Sequence, residues 1–198
     1  MRAATTLPRT STARLTALVR DAWRAASAPT RFFLALADAG EPRPLRAALA
    51  ATLCVSAALG VLSLAFVRAT GSDGVLLVWA ASLAIALPVF SFVLLVGGLV
   101  MLRPAALDVR AWEVAGWAWT PAGALALSLL PAVVMAPGVS AVVGLVTFPI
   151  WHLIVVVRGV RALSPGRHVA ASALYAIAVF GVPALLMVIG YAIVQGGP

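Results

Sequence analysis

The chain has no lysine and no asparagine, and in 198 residues it carries one cysteine, two histidines and six acidic side chains. Each scarcity excludes something. Without lysine there is no phosphate-binding loop of the Walker type, and without asparagine no N-glycosylation acceptor. Cys54 has no partner for an internal disulfide and no neighbouring metal ligand, so it is expected to pack as a small buried hydrophobe. No GxGxxG, HExxH or CxxC pattern occurs, and no nucleophile elbow supports a Ser-His-Asp arrangement on His152 or His168. The sequence therefore predicts no catalytic residue, no cofactor and no metal, and a non-enzymatic protein. Charged residues make up 10% of the chain, against about 25% in soluble domains. With 63% hydrophobic residues and a mean hydropathy of +1.08, the chain needs the bilayer as its solvent. A net charge of +8 without a folded polar face excludes nucleic acid as a partner. The absence of Lys and Asn beside abundant Ala, Arg and Gly fits a GC-rich, bacterial genome and hence the inner membrane.

What the chain does have is arginine, unevenly placed. Long uncharged runs alternate with short gaps, and all but one of the 14 basic residues fall in gaps of one side. Arg2, Arg9, Arg14, Arg20, Arg24, Arg31, Arg43 and Arg46 precede the first run. Arg103 and Arg110 lie in the loop 103–113, and Arg158, Arg161 and Arg167 in the loop 158–168. Arg68 alone lies on the other side. Loops rich in Arg stay in the cytoplasm, which places the N-terminus inside.

Five spans are predicted, at about 47–67, 75–102, 114–136, 139–157 and 170–194, each close to the ~20 residues that cross a bilayer. An odd number puts the C-terminal QGGP outside. The second run is long enough to require tilting, projection or a kink at Pro88. Pro137-Gly138 predicts a tight hairpin between the third and fourth spans. The fold class is thus all-α integral membrane: a five-transmembrane-helix bundle at 45–198, preceded by a cytoplasmic Arg-rich arm at 1–44.

Residues 1–11 read as disordered. From Thr12 to Ala26, Leu15, Leu18, Val19, Ala22 and Ala26 recur at helical spacing with arginines on other faces, predicting a helix on the membrane surface. Arg14, Arg20, Arg24 and Arg31 are the arm's expected contacts to anionic lipid headgroups. Trp112, Trp117, Trp119, Trp151 and Tyr175 are expected toward the cytoplasmic interface, Trp79 and Tyr191 toward the outer one. Ionisable groups at membrane depth are few, so Glu113 and His152 form the candidate polar cluster, with Arg158 beside them. That cluster is expected either to clasp two helices or to serve a pathway. Ser56/Gly60, Gly116/Thr120 and Ala118/Ala122 permit close helix packing or self-association.

The stretch AWEVAGWAWTPAGALALSLLP at 111–131 resembles the Yip domain of the Ypt/Rab-interacting protein family in its bacterial form. The resemblance rests on Trp117-Ala118-Trp119-Thr120-Pro121 with Pro131 downstream. Further support comes from Phe32 and Phe33 after Pro29, and from Trp151 and Gly159 ahead of an Ala-rich fifth span that opens with Ala170 and Ala171. It implies five helices, a cytoplasmic N-terminus and an outer C-terminus. The family's Asp-Leu-Tyr-Gly-Pro element, linked to Rab GTPases, is absent, so Rab binding is not implied. The expected role is membrane organisation as an adaptor, through association with itself or other membrane proteins. The alternative is a lipid scramblase or small-molecule transporter using a Pro-kinked cavity near Glu113 and His152.

Overall fold

A computed structural model describes residues 11–71, 73–105 and 107–195. Arg2, Arg9, all but the last of the residues expected to be disordered, and the final three residues lie outside this range. Nine α-helices follow one another among the described residues: α1 (Ser11–Ser27), α2 (Pro29–Asp38), α3 (Pro44–Thr70), α4 (Val75–Ala105), α5 (Arg110–Trp117), α6 (Thr120–Met135), α7 (Pro137–Leu163), α8 (His168–Ala176) and α9 (Val182–Gln195). The π-helical turn Ile177–Gly181 joins α8 to α9. Five helical stretches are long and apolar enough to cross a membrane: α3, α4, the pair α5–α6, α7, and α8 with α9. The chain is an all-α, five-span membrane protein.

Proline sets where helices stop. A residue before proline is pushed out of the α region, while proline itself suits the first helical turn. Ala28, Arg43, Ala136 and Ser164 all precede prolines, and all four break the chain with φ between −127° and −148°. The hairpin expected at Pro137-Gly138 forms, but its turn residue is Ala136, and Pro137 opens α7. At the other end of α3, Gly71 takes a left-handed φ of +68° and returns its N–H to the Val67 carbonyl at 2.8 Å. Where proline falls inside a span the helix adapts. α4 continues through Pro88 without a break. Pro183 has no N–H for the carbonyl four residues back, and the wider π turn lies immediately before it.

Most spans extend past the apolar runs that announced them. Arg46 and Arg68 belong to α3, and Arg158 and Arg161 to α7. Backbone hydrogen bonding continues beyond the last apolar residue, because long arginine side chains carry their charge outward from a helical backbone.

The arm is folded onto the bundle. α1 packs against α3, α5, α6 and α7, and α2 against α7. Leu18, Ala25, Ala26 and Phe33 are buried by this docking, while Arg14, Arg20, Arg24 and Arg31 remain exposed. The helical spacing read from the sequence thus faces protein as well as its surroundings. Leu15, Val19 and Trp23 stay exposed, Val19 and Trp23 at the edge of a groove between α1, α3 and α6. Close approach is secured by glycine. A Cβ on Gly159 would stand 2.7 Å from the Phe33 ring, and one on Gly116 would stand 2.8 Å from the Ala47 carbonyl carbon. The core lies at this arm end and comprises Phe33, Met101, Val114, Trp117, Val155, Val156, Val160 and Tyr175, among others.

Candidate functional site

Glu113 stands in the first turn of α5 and is fully buried. Its Oε1 accepts the backbone N–H of Arg43 at 2.5 Å. Arg43 is the residue at which α3 begins, where backbone N–H groups lack helical partners and the helix dipole favours negative charge. A carboxylate seventy residues away in sequence therefore caps α3. Its second oxygen, Oε2, has no hydrogen-bond partner among the described residues.

Three further side-chain attachments fasten the arm. Arg110 turns its guanidinium onto the C-terminal end of α2, donating to the carbonyls of Leu36 at 3.2 Å, Ala37 at 3.4 Å and Gly40 at 2.8 Å. Cations suit that end of a helix. Asp21 of α1 and Arg46 of α3 form an ion pair at 2.6 Å. Trp151 of α7 donates its indole N–H to the Ala26 carbonyl at the end of α1, at 3.0 Å. Between arm and bundle lies a cavity of about 430 Å³, whose wall includes Arg24, Arg31, Arg43, Glu41, Glu113 and Trp117.

His152 sits elsewhere, in an aromatic box. Its Nε2 is hydrogen-bonded to the Tyr175 hydroxyl at 2.7 Å, which links α7 to α8. Trp119, Phe148 and Phe180 meet the ring edge-on with centroids 4.8, 5.3 and 5.3 Å away, and Tyr175 stacks on it at 5.6 Å. A buried polar ring needs its hydrogen bonds satisfied, and one here is supplied by Tyr175. His152 Nδ1 has no partner among the described residues.

The expected cluster of Glu113, His152 and Arg158 is not brought together by hydrogen bonds. Glu113 bonds to the start of α3 and His152 to α8, while Arg158 is exposed on α7. Glu113 takes its partner from the junction of the arm and α3, and His152 takes its partner from the fifth span. Glu113 does clasp two helices, but α5 with α3.

The Trp117–Pro121 element makes the joint between α5 and α6. Ala118 and Trp119 form a turn, the Thr120 hydroxyl donates to the Trp117 carbonyl at 2.8 Å, and Pro121 opens the new helix. Trp117 and Tyr175 correct the interface expectation. Both are fully buried: the docked arm covers Trp117, whose ring centroid lies 5.0 Å from that of Phe32, and α8 packs Tyr175 against Gly97 of α4 and His152 of α7. Pro131 is exposed within α6. Cys54 is half-buried, facing Gly123 of α6. Among the predicted lipid contacts, Arg24 and Arg31 line the cavity and Arg14 and Arg20 do not.

Sequence reasoning missed Arg110, Tyr175, Trp151 and the Asp21–Arg46 pair as fastening groups. A signal existed for Asp21, the lone acid of α1 among basic residues. The others depend on partners distant in the chain. Among the described residues no group of His, Cys, Asp and Glu is arranged to hold a metal ion. Comparison of the chain with protein-family models, curated proteins and solved structures finds no match.

Proposed function

We propose that this chain is a non-enzymatic organiser of the bacterial inner membrane, with the arm in the cytoplasm and the C-terminus outside. It acts as an adaptor, associating with itself or with other membrane proteins. The observation that carries this reading is what the interior polar groups do. Glu113, Arg110, Trp151 and the His152–Tyr175 pair each fasten one helix to another. The result is a rigid arm-capped head with exposed arginines for anionic headgroups. The fifth span supports the association surface. In its most apolar stretch 6% of residues are buried within the chain, against 44% in the third. Likeness to the Yip domain belongs to the same proposal, resting on Trp117, Thr120, Pro121 and Pro131.

The test is the assembly state. Cross-linking in native membranes, followed by mass measurement in mild detergent, is expected to give a dimer or a stable complex through α9. A protein that stays monomeric at every concentration overturns the proposal. The second reading, a scramblase or transporter, draws support from the cavity beside Glu113. Its expected signature is lipid scrambling or uptake in proteoliposomes that Glu113→Gln or His152→Ala abolishes in folded protein.

A further inference from the structure

The cavity between arm and bundle has an uneven wall. Arg24, Arg31 and Arg43 are exposed at its rim, and their guanidinium groups make no hydrogen bond or ion pair among the described residues. Glu113 is fully buried in the same wall, and its Oε2 has no partner. Arg46, also in the wall, is already paired with Asp21. A site for a bare phosphate would gain nothing from a carboxylate in its wall, since like charges repel. A site for a bare amine would gain nothing from three free arginines. Guanidinium groups match the oxygens of phosphate, and a buried carboxylate oxygen without a partner calls for a donor.

We propose that this cavity binds a phosphate ester carrying a primary ammonium group, such as an aminophospholipid headgroup. The ammonium enters first and donates to Glu113 Oε2. The phosphate stays at the rim and accepts from Arg24, Arg31 and Arg43. Two sources share this chemistry, a membrane lipid and a free phosphorylated amine. The setting favours the lipid. Arg43 and Arg46 stand at the start of a membrane-spanning helix, and an apolar groove of about 180 Å³ lies deeper between α1, α3 and α6, lined by Leu18, Ala50, Leu53 and Leu127 among others. A headgroup at the rim leaves its chains on the apolar side.

This inference rests on the docked arm and not on the adaptor reading. Its test reads ligand binding and not assembly, so either can fail alone. Full-length protein in detergent is titrated with short-chain phosphatidylethanolamine, phosphatidylcholine and phosphatidylglycerol, and separately with free phosphoethanolamine, phosphocholine and inorganic phosphate. Bound ligand is read by native mass spectrometry. The trimethylammonium of choline cannot donate a hydrogen bond, so the primary ammonium compounds are expected to bind about tenfold more tightly. Glu113→Gln keeps an acceptor for Arg43 and is expected to bring that ratio close to one. Arg31→Gln, at an exposed position, is expected to weaken ethanolamine and choline compounds alike by about tenfold. Retention of the lipid alone assigns the site to headgroups. Equal binding of free phosphoethanolamine assigns it to soluble phosphorylated amines and upholds the shared chemistry. Equal affinity for ethanolamine and choline, tighter binding of inorganic phosphate or phosphatidylglycerol, or no binding at all overturns it. Limited proteolysis of the arm checks that each variant is still docked.

Discussion

The two ends of the bundle are built on different rules. At the arm end, side chains interlock: Phe33 against Gly159, Gly116 against Ala47, His152 inside its aromatic box. Glu113, Arg110, Trp151 and His152 there each form a hydrogen bond across helices. At the far end, large apolar residues such as Leu76, Leu77, Leu145, Leu186 and Ile193 are exposed. Lipid tails are as apolar as leucine, so a membrane helix gains little by burying leucine alone. Close packing and interhelical hydrogen bonds are what hold spans together. The arm end has both. Structural order in this protein therefore follows glycines and polar groups: the third span, with the lowest mean hydropathy at 1.6, is the most buried.

Four substitutions test that contrast. The largest effect is expected from Phe33→Ala, which empties a fully buried site between α2 and α7. A loss of about 3–5 kcal/mol is expected, read as a lower unfolding temperature in detergent and as rapid proteolysis of residues 11–43. If the arm stays protected, docking does not depend on that contact. Next comes Gly116→Leu, whose Cβ would meet the Ala47 backbone; about 3 kcal/mol is expected, from overpacking. Its counterpart Gly190→Leu, with nothing within 4 Å, is expected to change stability by less than about 0.5 kcal/mol. Equal thermal shifts for the pair would remove the difference between the two ends. The smallest of the three destabilising effects is Tyr175→Phe, which leaves buried His152 Nε2 without its partner and is expected to cost about 1–3 kcal/mol. The unfolding midpoint and the fluorescence of neighbouring Trp119 report it, and an unchanged midpoint would mean that the bond contributes nothing net.

How far the site was legible follows the same division. Glu113 and His152 stand out in sequence because ionisable groups are rare in apolar runs. What they touch does not stand out. Arg43 and Tyr175 look like an ordinary loop cation and an interfacial aromatic until Glu113 of α5 meets the one and α4 and α7 enclose the other. The Trp-Ala-Trp-Thr-Pro element is visible as a motif, yet its work as a helix joint appears only when Ala118 and Trp119 are seen to turn.

The sequence by itself determined the five spans and, through Pro137 and Pro165, two of the four breaks between them. Both are local properties: a run of apolar side chains must sit in lipid, and proline constrains the residue before it. It also carries the uneven arginine pattern on which the proposed orientation rests. Only the tertiary structure decided that the arm lies on the bundle, that Glu113 caps α3 rather than meeting His152, and that arginines from α1, α2 and the start of α3 share one cavity with a buried carboxylate. Those pairings join residues up to 125 positions apart. No local rule specifies them, because in a chain this uniformly apolar many helix faces are equivalent until glycine gaps and polar partners choose among them.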